Sequence, residues 1–495
     1  MRGAAFGPPP SLVVPAVSAG EQGVVETGPV GGVGADVVHR ARQVEGQPPA
    51  GQVFRGQHER GDWPQAFDFL PSFRRDVVAS AHGDVVYWPL LALGQYLAAT
   101  GDTDLLREEV AFTGDGRPGA VAPLVEHVER ALSAVEASFV PGLALPAYGH
   151  GDWNDSLQPA DPALARRMVS TWTVVLQAEA LDRLADGVRP ALPSLAERAA
   201  DLAARGTADL RRHLLVDGVL CGYGVVGDDG TVTPMIHPRD SRTGLRYSLL
   251  PMIHAVAGDL LSPGEAAAHL RLVDEHLTGP DGARLFDRPV AYRGGPTEIF
   301  QRAEASSFFG REIGIMYVHA HLRHAEALAR VGDGPGLLRA LARAVPVGLS
   351  ELVPSAAPRQ ANTYSSSSDG AFADRYEASR DYDRALAGEV PLEAGWRSTP
   401  AVRGSSSRSS RSVSSACGTW ASCSSSTRCS TPRRAWCAPP CPPSSARSGC
   451  GWRRGPSGTG WSRSGREGRT WPCRASTTPT AGPGSPCASR TWRPW

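Results

Sequence analysis

The 495-residue chain contains no lysine, so all of its 51 basic residues are arginines. It has no run of 18 or more apolar residues, which excludes a membrane-spanning helix of ordinary length. Its first 35 residues hold no compact apolar stretch behind a basic start, so we expect no secretory signal peptide and predict a cytoplasmic location.

Residues 398–495 lack leucine, isoleucine, phenylalanine, methionine, tyrosine and aspartate. These 98 residues nevertheless hold 15 arginines, one acid (Glu467), eight of the nine cysteines and seven of the twelve tryptophans. Residues 1–397 therefore carry 36 basic and 49 acidic residues, a net charge of −13. Such an acidic body offers no basic surface to a phosphate backbone, which argues against nucleic-acid binding.

Four interpretations of residues 398–495 compete. Eight cysteines are typical of a secreted disulfide framework, but a body with the single Cys221 is typical of a cytosolic chain. Zinc is disfavoured because the segment has no Cys-x-x-Cys pair and no histidine, and disordered arms rarely hold seven tryptophans. A shifted reading frame in a gene rich in G and C explains the composition: Ser398–Ser406 can be encoded so that a one-base shift gives Val/Ile-Tyr-Ser-Ser-Gly-Pro-Gly-Ile-Phe. We predict an out-of-frame or disordered, non-native tail without a packed core.

Residues 51–397 carry the regular pattern, whereas residues 1–50 form an unclear start rich in glycine, valine and proline. Short alternating runs typical of strands are scarce, and Gly/Pro/Asp loops separate segments with apolar residues at helical spacing. The sequence therefore predicts a mostly α protein whose long loops carry the chemistry. The predicted helical segments are Val121–Leu132, Leu164–Leu176, Leu195–Leu215, Ala266–Leu277 and Ile313–Leu328.

The sharpest motif is the polar loop Tyr148–Gln158, which precedes a helix expected to start near Pro162. Within it, Asp152 and Asp155 bracket Trp153. An indole face stacks on the C–H groups of a pyranose, and a protonated carboxyl group can donate to a glycosidic oxygen. The same composition is as typical of an Asp/Asn-rich turn that caps the next helix, so both interpretations stay open here.

A second cluster lies in Gln301–His321, where four polar residues are expected within about three turns of one helix. His319 and His321 are two residues apart and so do not share a helix face, which disfavours a metal pair. A buried structural histidine is the alternative for either. The four residues are Arg311, Glu312, His319 and His321, and smaller clusters occur at Gly61–Gln65, His82–Pro89 and Arg239–Arg242.

Taken together, these motifs resemble glycoside hydrolase family 94, the inverting disaccharide and oligosaccharide phosphorylases. The resemblance runs from about Gly61 to Arg397. Its extension Ser156–Asp161, with Phe309–Glu312, is most similar to the 1,2-β-oligoglucan phosphorylase branch. The motifs that carry it are Gly61–Gln65, Gly83–Pro89, Thr100–Asp102, Gly151–Asp155, Arg311–Glu312 with His319, Tyr364–Asp369 and Asp374–Glu377.

The resemblance implies a fold and a reaction. The family fold is an (α/α)6 barrel between a β-sandwich and a small β-domain, of which residues 51–397 would form a partial barrel as the catalytic domain. The implied reaction is inverting phosphorolysis of a β-linked glucooligosaccharide, with β-1,2-glucan favoured, to α-glucose 1-phosphate and a shortened glucan. One catalytic carboxyl group suffices, because phosphate replaces the activated water of an inverting hydrolase.

Site roles follow from the resemblance, residue by residue. Asp155 matches the general acid, and Trp153 matches a glucose-contacting residue. His319 matches the phosphate-binding histidine, with Arg311 beside it. The remaining expected substrate-binding residues are Asp152, Asp84 and Glu312.

The resemblance also sets the expected partners. They are a β-glucan oligosaccharide and inorganic phosphate as co-substrate, without an organic cofactor, metal, nucleic acid or membrane, and a homodimer is the expected assembly of an intact family member. The chain departs from the family at both ends, because the front β-sandwich is not recognisable and the shifted frame removes a second phosphate-binding loop after Trp396. We therefore expect this chain to lack part of its phosphate site. The alternatives are a cellobiose-type phosphorylase, a hydrolase, an inactive sugar-binding remnant, or a product that does not fold.

Overall fold

The computed structural model describes residues 24–26, 53–68, 76–78, 81–114, 117–154, 157–294, 296–306, 316–360, 364–395, 397–398, 453–454 and 461–462. One compact unit extends over Met1–Ser426 and a second over Thr427–Trp495. In the second unit, the described residues are the antiparallel pair Arg453–Arg454 and Trp461–Ser462. Most of the predicted out-of-frame tail and of the unclear start lies outside the described residues, and the predicted domain boundaries stay predictions.

Helices dominate the first unit, which confirms the mostly α class. They are α1 (Tyr87–Thr100), α2 (Leu124–Ala137), α3 (Pro162–Arg167), α4 (Thr171–Val188), α5 (Pro193–Asp209), α6 (Leu249–Ala257), α7 (Pro263–His276), α8 (Gln301–Ala305), α9 (Val318–Arg330), α10 (Gly334–Ala344), α11 (Leu349–Leu352) and α12 (Arg375–Leu386).

Four of these helices lie side by side and form what we call the inner row. Within it α1 packs on α4, α4 on α6, and α6 on α9. Behind the row, α5 packs on α4, α7 on α6 and α10 on α9, while α2 shares a hydrophobic cluster with α1, α4 and α5. Inner helices with an outer helix behind each are the arrangement of part of an (α/α)6 barrel, as predicted.

Gly94 of α1 allows an unusually close contact within the inner row. A Cβ atom at this position would lie 2.4 Å from the backbone oxygen of Arg183 in α4. On the facing side, a Cβ atom on Gly187 would lie 2.7 Å from the oxygen of Gly94. The backbones of α1 and α4 therefore touch directly, which only glycine permits at these two positions.

The strands are short and connect the helices. Three-stranded antiparallel sheets join Met168–Ser170 to Tyr223–Val226 and Val232–Met235, and Met316–Tyr317 to Ser367–Gly370 and Leu392–Ala394. A third pairs Val24–Glu26, Ala66–Asp68 and Asp76–Val78. The two-stranded pairs are Glu109–Gly114 with Arg117–Pro123, Leu215–Val216 with Val219–Leu220, Thr278–Gly279 with Gly282–Ala283, and Tyr364–Ser365 with Arg397–Ser398.

Four of the predicted helical segments have a wrong boundary. In Leu195–Leu215, the last residue lies in the strand Leu215–Val216, which pairs with Val219–Leu220. The segment Leu164–Leu176 is not one helix, because Met168–Ser170 forms a strand paired with Tyr223–Val226 between α3 and α4. Val121 lies in a strand ahead of α2. In Ile313–Leu328 the helix begins only at Val318, because Met316–Tyr317 pairs with Ser367–Ser368. In each case pairing with another strand overrides local helical spacing. The partner strand is near in the sequence for Val121 and Leu215 and distant for Met168–Ser170 and Met316–Tyr317.

No helix among the described residues is long and apolar enough to cross a lipid bilayer. The cytoplasmic location stays a prediction.

Candidate active site

The predicted site residues that the structure describes meet at the amino-terminal ends of the inner row. Asp84 lies three residues before α1, Trp153 lies in the loop that leads through α3 to α4, and His319 is the second residue of α9. Because inner helices are neighbours, segments far apart in the sequence converge on one place.

Asp84 is completely buried. Its Oδ2 accepts a hydrogen bond from the Nε1–H of Trp88 at 3.3 Å, and the backbone amide of Trp153 also bonds the carboxyl group. Burial, together with the neighbouring charge of Asp152, raises the pKa of Asp84 to about 8. Oδ1 has no hydrogen-bond partner among the described residues. Asp84 therefore keeps its proton to a higher pH than an exposed aspartate does, and one of its oxygens has no partner among the described residues.

Asp152 lies beside Asp84 and is also buried. Its Oδ1 accepts from the Asn154 amide at 2.9 Å and from the Tyr148 hydroxyl at 3.3 Å, and its Oδ2 accepts from the Ser170 hydroxyl. Burial raises the pKa of Asp152 to about 6, although these donors oppose the rise. Two buried carboxyl groups with separated pKa values are typical of catalytic and ligand-binding sites.

Trp153 and His319 lie close together, which brings the Tyr148–Gln158 and Gln301–His321 motifs into one site. Their ring centroids lie 5.8 Å apart, and Tyr317 contacts the edge of the indole with centroids 5.0 Å apart. Both Trp153 and His319 are half-buried. The residue predicted to contact glucose and the residue predicted to bind phosphate thus stand side by side.

Beneath this pair a narrow cavity opens between the inner helices. Trp172 packs against Trp88, with ring centroids 6.2 Å apart, and against His254, with centroids 4.2 Å apart. Burial and the charges of Arg323 and His319 hold the pKa of His254 well below its usual range. The lining side chains are Trp88, Trp153, Trp172, Leu250, His254, His319, Ala320 and Arg323.

Sequence reasoning did not assign Trp172, His254 or Arg323 to the site. Trp172 was assigned only to the apolar pattern of a helix. Their position in the fold could have identified them, because each lies in the first two turns of an inner helix, at the end of the row where the predicted site residues lie.

The structure bears on the two structural alternatives, helix capping by the Tyr148–Gln158 loop and a buried structural histidine. The helices that follow this loop are capped by residues outside it, Asp161 for α3 and Ser170 for α4. His321 is structural: it is buried, its Nδ1 accepts from the Ala283 amide at 3.1 Å, and its Nε2–H donates to the Ala340 carbonyl at 2.8 Å. The prediction that His319 and His321 occupy different faces is confirmed.

Asp155, Arg311 and Glu312 lie outside the described residues. Their predicted roles as general acid, phosphate ligand and substrate ligand stay predictions.

Comparison with known proteins gives two curated relatives. The chain is 40% identical over 352 residues to a 1,2-beta-oligoglucan phosphorylase from Listeria innocua serovar 6a, a match that covers 70% of this chain and 32% of the relative. It is 24% identical over 297 residues to a 3-O-beta-D-glucopyranosyl-beta-D-glucuronide phosphorylase from Paenibacillus borealis, covering 59% of this chain and 36% of the relative. The chain thus spans about a third of the length of these relatives. The predicted resemblance to sugar phosphorylases is confirmed.

No family model matches the chain. Among solved structures, an uncharacterized conserved protein from Thermus thermophilus is 14% identical with a TM-score of 0.45, covering 79% of this chain and 93% of that one. A wild-type glycosidase is 14% identical with a TM-score of 0.41, covering 76% and 75%.

Proposed function

We propose that this chain carries the barrel part of a glycoside hydrolase family 94 phosphorylase. The proposed reaction is inverting phosphorolysis of β-linked glucooligosaccharides, with β-1,2-glucan as substrate, to α-glucose 1-phosphate and a shortened glucan. The observation that carries the proposal is the 5.8 Å separation of the Trp153 and His319 rings. A phosphorolytic site must hold a sugar ring and a phosphate in contact, and these two residues supply one recognition element for each.

The reaction joins a phosphate oxygen to the anomeric carbon while the bond from that carbon to the leaving oxygen breaks. Asp155 donates the proton that the leaving oxygen takes up, and inversion follows from attack on the opposite face. His319 and Arg311 hold the phosphate by charge-assisted hydrogen bonds. Inorganic phosphate is the co-substrate, and the proposed mechanism uses no organic cofactor or metal.

The buried carboxyl pair and Glu312 are assigned to the donor sugar. Asp84, whose raised pKa favours the protonated form, is able both to donate to and to accept from a sugar hydroxyl, and Asp152 is a second buried carboxyl group beside it. Trp153 provides the face for the pyranose ring. Strict placement of the ring by such groups aligns the anomeric carbon with the phosphate.

The test is release of glucose 1-phosphate from β-1,2-glucooligosaccharides, with and without inorganic phosphate. It is run on the 495-residue chain and on the product of the same gene with one base restored near codon 397. We expect phosphate-dependent release from the restored product and binding without release from the 495-residue chain. Resequencing codons 390–410 and the region upstream of codon 1 establishes which product the organism makes.

The controls distinguish the alternatives. In the restored product, Asp155→Asn should lower the rate by about 10²–10⁴-fold, because it removes the proton donor. Asp161→Asn makes the same change in the same loop, at a side chain that caps α3, and should leave the rate unchanged. Release of free glucose, equally fast without phosphate, would establish a hydrolase, because water then replaces phosphate as the nucleophile. Preference for cellobiose would establish a cellobiose-type phosphorylase. Oligosaccharide binding by the restored product without turnover would establish a sugar-binding remnant.

The homodimer is proposed only for the intact protein. Sedimentation of the restored product would show whether it forms.

A further inference from the structure

The cavity beneath Trp153 contains a buried hydrogen-bond donor that the roles above do not use. Trp172 is 4% exposed, its ring lines the cavity, and its Nε1–H has no acceptor among the described residues. Buried indole N–H groups almost always find an acceptor. The missing acceptor is therefore expected to come from a ligand.

Arg323 brings a positive charge to the same cavity. It lies one turn after His319 on α9, so the two side chains share a helix face, and both line the cavity. Its Nη1 donates to Glu326 Oε2 at 2.5 Å, an ion pair that orients the guanidinium. Glu326 itself does not line the cavity. The lining thus combines a cation with an indole donor.

The size of the cavity limits what it takes. Its volume is about 10 Å³, room for one water-sized group. A single ligand oxygen fits, while the rest of the ligand lies above it, toward Trp153 and His319.

The lining chemistry favours an oxygen that carries negative charge. A sugar hydroxyl brings its own proton and needs an acceptor. Among the described lining residues only imidazole nitrogens can accept it, and no carboxylate is present. A phosphate oxygen needs only donors, which Trp172 and Arg323 supply. The leucine, the alanine and the other tryptophan faces exclude water, which strengthens such a contact.

We propose that Arg323 and Trp172 bind one oxygen of the phosphate group, one helical turn below His319. They would hold inorganic phosphate in the forward reaction and the phosphoryl group of α-glucose 1-phosphate in the reverse reaction. The inference rests on the proposed function in taking the anion to be phosphate.

The test is the affinity of the 495-residue chain for inorganic phosphate, glucose 1-phosphate and glucose, measured by isothermal titration calorimetry. Arg323→Gln should weaken the binding of both phosphate compounds by about tenfold or more and leave the affinity for glucose unchanged. Trp172→Phe, which keeps an aromatic ring but removes the N–H, should weaken them by about threefold to tenfold. Arg323→Lys keeps the charge and should recover part of the loss.

A matched control keeps the test independent of folding. Arg330→Gln removes the same charge from the same helix, at a residue that pairs with exposed Asp259, and should bind phosphate like the unmodified chain. Thermal unfolding of every variant reports whether it is folded.

The proposal is overturned if folded Arg323→Gln binds inorganic phosphate as tightly as the unmodified chain. It is also overturned if neither the unmodified chain nor the restored product binds inorganic phosphate at millimolar concentration. It is equally overturned if Arg323→Gln weakens the binding of glucose as much as that of phosphate, since the oxygen in the cavity would then belong to the sugar. Failure of phosphorolysis with intact, Arg323-dependent phosphate binding would refute the proposed function alone.

Discussion

Two regions of the molecule bury ionisable groups, and they differ in whether the buried acids have cationic partners. In the site, Asp84 and Asp152 are close enough for the charge of Asp152 to act on Asp84, and neither forms an ion pair with any described residue. In the second region, which we call the Arg284 cluster, acids and arginines are buried together. The cluster comprises Asp281, Arg284, Arg359, Asp369 and Tyr382.

The Arg284 cluster balances its charges. Arg284 donates to Asp281 at 2.8 Å, and their side chains are 1% and 0% exposed. The charge of Asp281 contributes to a raised pKa of Arg284, although burial opposes it. Even here burial raises the pKa of Asp369 to about 7, against the opposing charges of Arg284 and Arg359.

The difference separates two uses of burial. A buried acid with a buried cation holds the chain together, and removing one partner leaves an uncompensated charge. A buried acid without a cation has no opposing charge to offset the rise in its pKa. Its burial costs stability but leaves a hydrogen-bonding group for a ligand. The predictions below test that separation.

The largest effect is expected in the Arg284 cluster. Asp281→Asn keeps the shape of the side chain but leaves Arg284 buried without its counter-charge, which should lower the free energy of unfolding by about 3–5 kcal/mol. Chemical denaturation of the variant measures this loss. A loss below about 1 kcal/mol would show that the cluster does not depend on the pair.

At the site, Asp84→Asn should raise the free energy of unfolding, whereas Asp281→Asn lowers it. The folded pKa of about 8 lies above the unfolded value, so the unmodified chain loses stability as pH rises from about 4 to 8. The asparagine variant escapes this loss and should be more stable by roughly 1–3 kcal/mol at pH 8, with little difference at pH 4. Unfolding curves at both pH values test it, and a variant less stable at pH 8 would contradict it.

A smaller effect is expected for Ser170→Ala. The hydroxyl of Ser170 accepts from the Thr173 amide at the start of α4 and donates to Asp152. Its loss should cost about 1 kcal/mol of stability and move the pKa of Asp152 above about 6. The readout is the pH dependence of glucooligosaccharide affinity, whose midpoint should rise. An unchanged midpoint would remove Ser170 from the site.

The smallest effect on stability is expected for a helix cap outside the site. Ser262 and Glu265 form a capping box at the start of α7, away from the inner row's site end. Ser262→Ala should cost about 0.5–1 kcal/mol and leave every ligand affinity unchanged. Comparison with Ser170→Ala then separates loss of a helix cap from loss of a contact to the carboxyl pair.

The sequence predicted the parts of this arrangement that are local. Amphipathic spacing located α2, α5 and α7, and short motifs identified Asp84, Trp153 and His319. What it did not predict depends on distant contacts: the strand at Met168–Ser170 exists because Tyr223–Val226 pairs with it. Trp172 shows the same limit in the site, because an apolar residue at helical spacing has no local mark that it lines a cavity.

The contact between Gly94 and Arg183 has a consequence for how this protein tolerates change. Asp84 precedes α1, and Ser170, which holds Asp152, precedes α4, so the spacing of these two helices fixes the spacing of the two carboxyl groups. A methyl group at Gly94, which is distant from both acids in the sequence, would push α1 and α4 apart. The distance between the two carboxyl groups would then increase, although the methyl group contacts neither of them. A position distant from both acids, where glycine is required for helix packing, therefore sets the dimensions of the site.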